Sequence, residues 1–237
     1  MNNNYKIYNN DCLEQIKKIK DHSIDVILTD PPYNIAKYST GNIKMKHRSD
    51  INNDVAEWDL SEINPLDYLE DFKRIIKPNG NIFIFTSYNL IGKWHDVFDK
   101  EFDTFQFFIW HKTNPVPNVF RKGFLNSCEM IICLWNKGHK WNFSKQNKMH
   151  NFFESPICMQ PERLKNPKHP TQKPVKLLEH FISISSNEGD IIYDPFMGVA
   201  STGVAALNLN RKFIGCEIDK TYFEASEKRL ENVKIPD

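Results

Sequence analysis

The chain has no pair of cysteines at C-x-x-C spacing, and its five cysteines are an odd number, which excludes a zinc site of that kind and a closed disulfide framework. Cys12, Cys128, Cys133, Cys158 and Cys216 mostly lie in or beside apolar runs, so they read as buried thiols kept reduced. No residue pattern calls for a metal. No apolar run approaches the roughly 20 residues that span a bilayer. The opening Met1-Asn2-Asn3-Asn4-Tyr5 carries neither the basic region nor the apolar core of a secretion signal. The expectation is a soluble cytoplasmic protein with no membrane attachment. Neither sign of charge is in excess, since 31 Lys and Arg stand against 30 Asp and Glu for a net +1. That excludes a uniformly basic coat for nucleic acid while leaving room for a locally basic face. Internal repeats are also missing, as is a full G-x-G-x-x-G, without which a dinucleotide has no phosphate cradle.

What is there begins with Asp30-Pro31-Pro32-Tyr33. It follows 24–29, an apolar run rich enough in β-branched residues to be a buried strand of a parallel sheet. Two prolines cannot continue a ladder and hold the residue before them extended, so Asp30 and the Pro31 carbonyl project rigidly from the strand's carboxyl edge. Open α/β sheets bind ligands at that edge. A carboxylate, a fixed carbonyl and an aromatic ring suit a flat base with an exocyclic amine. The same four residues also fit a plain proline turn capped by Asp30.

At 237 residues the chain can bury one large α/β core, and a single domain over 1–237 with inserted loops is expected. The pattern predicts a strand over 5–8, a helix over 13–19 capped by Asn9-Asn10-Asp11, and the strand over 24–29. A helix over 66–76 stops at Lys77-Pro78-Asn79-Gly80, and a strand follows over 81–86. Then come a helix over 90–99, a strand over 104–110, and a strand over 129–135 that suits an antiparallel partner. After 175–185 (helix) the order is strand 190–194, helix 202–209, strand 212–217 and helix 222–232. Alternating strand and helix predicts a three-layer α/β/α fold on a mostly parallel, Rossmann-like sheet.

Two stretches break the alternation. Residues 34–59 are polar, with Lys44, Lys46, His47 and Arg48 forming a basic island; this reads as a mobile lid or a surface insertion. Between 137 and 173 eight Lys or Arg face two acids, Glu154 and Glu162, with Trp141, Phe143, Phe152 and Phe153 interspersed. Cations among aromatics suit phosphate contact and base reading, and equally a solvated loop packed on its own rings. Residues 137–168 are thus a candidate DNA-recognition region. Arg121, Lys122, Lys140, Lys145, Lys148 and Arg163 join Lys44, Lys46 and Arg48 as candidate DNA contacts.

The closing β-α-β unit runs Asp194-Pro195-Phe196-Met197-Gly198 into a helix, then a strand ending in Glu217, 23 positions after Asp194. An acid there is placed for ribose hydroxyls. With Ala200 where a second glycine could stand, a pyrophosphate grip gives way to a nucleoside without phosphates. A nucleoside pocket and an amine-orienting turn on one sheet edge together point to methyl transfer from S-adenosylmethionine to a base amine.

On these residues the chain resembles the permuted beta group of adenine-N6 DNA methyltransferases of restriction-modification systems. The resemblance rests on Asn10-Asp11-Cys12, Asp30 to Tyr33, the polar connection, His169-Pro170-Thr171-Gln172-Lys173-Pro174, Asp194 to Gly198, and Glu217, in that order. It implies Asp30, Pro31, Pro32 and Tyr33 as the catalytic turn, which also borders the cofactor at Asp30. Asp194, Phe196, Gly198, Ser201 and Thr202 would surround the methionine part of S-adenosylmethionine, with Glu217 on the ribose. Asp11 and Cys12 would sit beside the adenine. His169, Thr171 and Lys173 would close over the cofactor carboxylate, Lys173 as its ion-pair partner. Ala200 departs from the family's usual glycine.

The resemblance further implies double-stranded DNA as substrate, a homodimer, and a cognate restriction endonuclease; none of these follows from composition. Cytosine-N4 methylation shares the amine geometry, but that branch more often has Ser in place of Asp30. A protein-glutamine methyltransferase would have Asn first and the cofactor motif upstream. A non-catalytic DNA-binding relative would not need an intact Asp-Pro-Pro-Tyr.

Overall fold

The computed structural model describes residues 4–33, 63–118 and 121–234. The predicted lid over 34–59, with Lys44, Lys46 and Arg48, lies outside the described residues. In chain order the elements are β1 (Tyr5–Asn9), α1 (Cys12–Ile16), β2 (Ile24–Thr29), α2 (Leu66–Ile75), β3 (Ile76–Thr86), α3 (Ile91–Phe98), β4 (Thr104–Lys112), β5 (Cys128–Trp135), β6 (Phe152–Ser155), α4 (Val175–Ser185), β7 (Ile191–Asp194), α5 (Ser201–Asn208), β8 (Lys212–Glu217) and α6 (Lys220–Glu231).

The strands form one eight-stranded sheet in the order β1-β8-β7-β2-β3-β5-β4-β6. Within it, β5 runs antiparallel to both neighbours, and every other pairing is parallel. Alternate residues of the central strands feed two cores. Phe83, Phe85, Ile131 and Cys133 meet Leu177, Phe181, Ala205 and Leu230 on one face. Ile82, Ile84, Ile132 and Leu134 meet Ile16, Phe72, Trp94 and Phe98 on the other. Helices α1, α2 and α3 therefore cover one face and α4, α5 and α6 the other, the predicted three layers. Phe181 anchors its side with ring centroids 4.9 Å from both Phe83 and Phe108. Each such ring contributes about 1.5–3 kcal/mol by burial.

Three local features differ from the sequence pattern. Helix α1 ends at Ile16, three residues early, because Arg74 reaches across from α2 and takes the Ile16 and Ile19 carbonyls at 2.8 and 2.7 Å. The predicted stop at 77–80 is absorbed into β3 as a bulge. Between Ile24 and Val26 of β2 the partner moves from Ile76 to Asn81, so the extra β3 residues loop out of register. Gly80 suits that bulge, since a Cβ there would lie 2.8 Å from the Asp25 carbonyl. Finally, β6 is a strand within the stretch that lacked any periodicity. Its pairing comes from edge strand β4, and Trp110 Nε1 donates to Ser155 Oγ at 2.8 Å.

The direction of crossover changes between β7 and β2. From β2 the chain moves to β3 on one side, and from β7 it moves to β8 on the other. Such a switch point opens a crevice at the carboxyl ends of the strands. The Asp30 turn leaves β2 there, and Asp194 ends β7 there.

Candidate active site

A cleft of about 330 Å³ lies over this switch point, within the usual range for small-molecule sites. Its walls bring together Asp11, Cys12, Asp30 to Tyr33, His169, Thr171, Lys173, Asp194, Phe196, Ser201, Thr202 and Glu217. Residues separated by most of the chain's length thus share one crevice.

Asp194 is the internal pin of the crevice. Its Oδ1 accepts from Thr29 Oγ1 at 2.8 Å and from the Phe196 amide at 3.0 Å, and its Oδ2 accepts from Thr202 Oγ1 at 2.7 Å. Those bonds tie β7, β2 and α5 together at the switch point. Burial pushes its carboxyl up to about 6, the three hydrogen bonds pulling the other way. Asp194 and Thr202 are therefore spent on each other and on the turn, and Ser201 Oγ accepts from Arg229 Nη1 at 2.9 Å. All three, expected around the cofactor, line the cleft and also brace the turn that shapes it.

Gly198 is the close-approach glycine. Its φ is +52°, and a Cβ would meet His169 Nε2 at 2.9 Å. Its amide donates to Glu217 Oε2 at 2.9 Å, while Glu217 Oε1 accepts from the Asp219 amide at 2.7 Å. Glu217 lines the cleft, and each of its oxygens has a further lone pair able to accept. Burial raises its carboxyl to about 7, the backbone donors lowering it in part. Ala200 also takes the left-handed conformation, with φ +56° and ψ +42°, just ahead of α5.

The far wall is apolar. Phe196 packs on Tyr68 at 5.7 Å between ring centroids, and Cys12 sits beside Tyr68 with its thiol pushed up to about 12, chiefly by burial. Asp11 caps α1 by accepting from the Leu13 and Glu14 amides at 2.8 and 3.3 Å. The His169 ring packs on Tyr222 at 4.7 Å and is held down to about 4, chiefly by burial and then by Lys173. It lines the cleft as a neutral ring.

The Asp30 turn carries the strongest electrostatics. Pro31 and Pro32 are buried, and Asp30 Oδ1 accepts from the Tyr33 hydroxyl at 2.5 Å. Lys173 Nζ donates to Asp30 Oδ2 at 2.5 Å, lies 3.3 Å from Glu129 Oε2, and faces the rings of Tyr33 and Phe85 at 5.3 and 5.2 Å. Lys173, expected to close over a cofactor carboxylate, lines the cleft and here pairs with two protein carboxylates. Burial works against the ammonium, but Asp30 and Glu129 together hold its pKa above the ordinary value. Burial pushes Asp30 up, with Lys173 pulling it back.

Glu129 escaped the sequence reading. It stands near the start of β5, which reaches this edge because β5 runs antiparallel. The available signal was an acid opening an otherwise apolar strand.

The expected DNA contacts divide. Arg121 and Lys122 are exposed on the loop joining β4 to β5, at the cleft's edge of the sheet. Lys140 is not: its ammonium pairs with Asp190 and lies 3.6 Å from Asp25, at the sheet's opposite edge. Lys145 and Lys148 are exposed but precede β6, which enters parallel to β4 from that opposite side. Arg163 holds the Pro170 and His169 carbonyls at 3.0 and 3.3 Å and so shapes the loop ahead of Lys173. No helix among the described residues is long and apolar enough to cross a membrane.

The cleft fits a nucleoside sulfonium. Glu217 offers ribose acceptors, Gly198 leaves space that a side chain would fill, Phe196 and Tyr68 give an apolar wall, and the carboxylates of Asp11, Asp30 and Glu217 suit a cation.

Known proteins resemble this chain over nearly its whole length. The type II methyltransferase M.HinfI of Haemophilus influenzae is 32% identical over 248 residues, 96% of this chain and 68% of its own length. M2.DpnII of Streptococcus pneumoniae, also a type II methyltransferase, is 32% identical over 95% of this chain and 89% of its own. The structure of the M1.HpyAVI–SAM complex superposes with a TM-score of 0.67 at 33% identity, covering 95% of this chain and 100% of that one. The PvuII cytosine-N4-specific DNA methyltransferase shares the fold, with a TM-score of 0.70 at 20% identity over 98% of this chain and 88% of its own. Residues 24–228, from the start of β2 into α6, match the N6_N4_Mtase model of DNA methylases, and the chain belongs to that DNA methylase family.

Proposed function

We propose that the chain transfers a methyl group from S-adenosylmethionine to the N6 amine of an adenine within a specific sequence of double-stranded DNA. The observation that carries this reading is one cleft with the Asp30-Pro31-Pro32-Tyr33 turn on one side of the β7/β2 switch point and the Gly198–Glu217 cradle on the other. Both type II relatives and the SAM-bound M1.HpyAVI support it. The reading includes the permuted beta grouping, a cytoplasmic location, a homodimer and a cognate restriction endonuclease.

An adenine stacked in a duplex cannot reach a crevice of this depth, so the base is flipped out. Asp30 and the Pro31 carbonyl accept the two amine hydrogens while the Tyr33 ring supports the base. Those bonds hold the nitrogen lone pair out of ring conjugation. S-adenosylmethionine, when bound, would supply a methyl carbon on a sulfonium leaving group, and the proton that the amine loses would pass to the Asp30 carboxylate and on to solvent. The protein's share is positioning and preorganised acceptors, effects that offset roughly 7–11 kcal/mol in well-oriented reactions. Glu217 accepts from the ribose hydroxyls, and Cys12 with Asp11 borders the cofactor's adenine. Residues 34–59 and the parts of 137–168 that reach the cleft are the regions for target reading.

The test is incubation with labelled S-adenosylmethionine and unmethylated genomic DNA, digestion to nucleosides, and identification of the labelled base by mass. N6-methyladenine is expected. N4-methylcytosine would keep the mechanism and overturn the substrate. No label in DNA, with the cofactor bound, would overturn the reading.

A further inference from the structure

Two half-buried acids share one ammonium. Glu129 is 19% exposed, Asp30 22%, and Lys173, between them, 6%. The other Glu129 oxygen, Oε1, lies 3.0 Å from Lys112 Nζ at the end of β4. Tyr33 bridges the same acids: its hydroxyl donates to Asp30 Oδ1 and stands 3.3 Å from Glu129 Oε2. Asp30, Tyr33, Lys112, Glu129 and Lys173 are thus linked, with two negative and two positive charges among them.

We propose that Glu129 is a positioning residue for methyl transfer: it shares Lys173 with Asp30 and takes over the ammonium when the target amine engages Asp30. The inference rests on the methyl-transfer reading above. With Lys173 on Oδ2 and Tyr33 on Oδ1, each Asp30 oxygen already accepts a strong hydrogen bond. Each keeps a second lone pair, but an ammonium held this close takes most of the oxygen's accepting strength, so a neutral aromatic amine engages Asp30 fully only as Lys173 eases away. Freeing Lys173 with nowhere to go would strand a buried charge. Glu129, within reach of the same Nζ, removes that obstacle, and Lys112 keeps Glu129 ionised for the purpose. The proton-binding tendencies agree with this division. Glu129 stays below the ordinary carboxylate range because Lys173 and Lys112 outweigh its burial, whereas Asp30 lies above it.

The roles separate in two variants of the full chain, assayed on DNA containing the identified target adenine. Glu129→Gln removes the negative charge beside Asp30 and leaves Lys173 to Asp30 alone. Its kcat is expected to fall about 10- to 100-fold, with the KM for DNA and the cofactor Kd within about 3-fold. The acid limb of its kcat profile moves to lower pH. Lys112→Met removes a cation from Glu129, draws Lys173 toward it, and moves the acid limb to higher pH. Opposite displacements show that both charges act on Asp30, and the fall in kcat with unchanged KM in Glu129→Gln is what marks the shared counter-ion. A residue that only supports the fold would lower the melting temperature and leave both limbs in place, and that result would overturn the proposal. So would a Glu129→Gln enzyme with unchanged kcat and profile. Should Glu129→Gln give no folded protein, the direction of the Lys112→Met shift decides alone. The wild-type enzyme in the same assay separates the two readings: unlabelled adenine there refutes the function, whereas labelled adenine with unmoved limbs in the variants refutes only the role of Glu129.

Discussion

Lys173 Nζ rests 2.5 Å from Asp30 Oδ2 in the floor of the cleft, and this pair fixes the electrostatics of the site before any ligand enters. Lys173→Met leaves the Asp30 and Glu129 carboxylates facing each other, with Lys112 the cation paired to them among the described residues. Breaking a buried pair by removing one partner costs about 3–5 kcal/mol. The penalty is largest where both acids are ionised and shrinks as falling pH protonates Asp30. Melting curves of the variant and wild type at pH 8 and pH 5 check this; an equal gap at both would refute it.

Asp30→Ala removes the acceptor for the base amine while Lys173 keeps Glu129 as partner, so the fold survives. Turnover is expected to fall at least 10²- to 10³-fold, as when one preorganised oxyanion-site donor is lost. Cofactor Kd should stay within a few-fold by calorimetry. Retained turnover would take Asp30 out of the chemistry.

Much of this site is legible in the sequence because its parts are local. A proline pair stops a strand whatever surrounds it, and Asp30 duly ends β2. The acid 23 residues after Asp194 ends β8 because strand, turn and helix lengths leave no other place for it. The pairing of Lys173 with Asp30 and Glu129 is not legible, because these neighbours are 143 and 44 residues away and only the sheet order brings them together. Lys140 was grouped with DNA contacts by local charge alone, while its partners Asp25 and Asp190 belong to two other strands' starts. Strand β6 left no periodic trace because one edge partner, not its own pattern, makes it a strand.

Ala200 bears on the turn preceding α5. Its φ of +56° costs roughly 1–2 kcal/mol for a residue with a Cβ. Glycine there relieves that cost but gives up about 0.8 kcal/mol of methyl burial and about 0.5–1 kcal/mol of chain entropy. The terms nearly cancel, so Ala200→Gly should shift the melting temperature by less than about 4 °C and leave cofactor affinity unchanged. Gly198→Ala has no such compensation, because its Cβ meets the packed His169 ring at 2.9 Å. Cofactor binding should be lost there, and binding within a few-fold of wild type would contradict the cradle.

Glu217 links pH to stability. Its carboxyl lies at about 7 when folded and near 4.5 when not, so the unfolded chain releases its proton first as pH rises. Folding stability of the ligand-free protein therefore falls between about pH 4.5 and 7, from this group alone, and is lowest above 7. Asp194 adds a similar decline between 3.8 and about 6. Glu217→Gln should flatten the upper part of that decline in melting temperature measured from pH 6 to 8. It should also weaken S-adenosylmethionine about 10-fold or more, since a hydrogen bond to a charged acceptor is worth about 1.5–3 kcal/mol. An unchanged slope would mean that Glu217 ionises normally in the fold.

The two exposed pairs of cations lie at opposite ends of the sheet, which makes the DNA-binding face testable without a complex. Arg121 and Lys122 follow β4 at the carboxyl edge, where the cleft opens, beside Phe124, whose side chain is fully exposed at 102%. Lys145 and Lys148 approach β6 from the amino-terminal side. A duplex that delivers a base to Asp30 must cross the first edge and not the second. Each phosphate contact contributes a slope of about −0.9 to log K against log salt. Arg121→Ala with Lys122→Ala should therefore weaken binding across all sequences and reduce the slope by about 2. Lys145→Ala with Lys148→Ala should change neither affinity nor slope. The reverse result would move the duplex to the far edge of the sheet, a strand's length from Asp30, and would be incompatible with methyl transfer in this cleft.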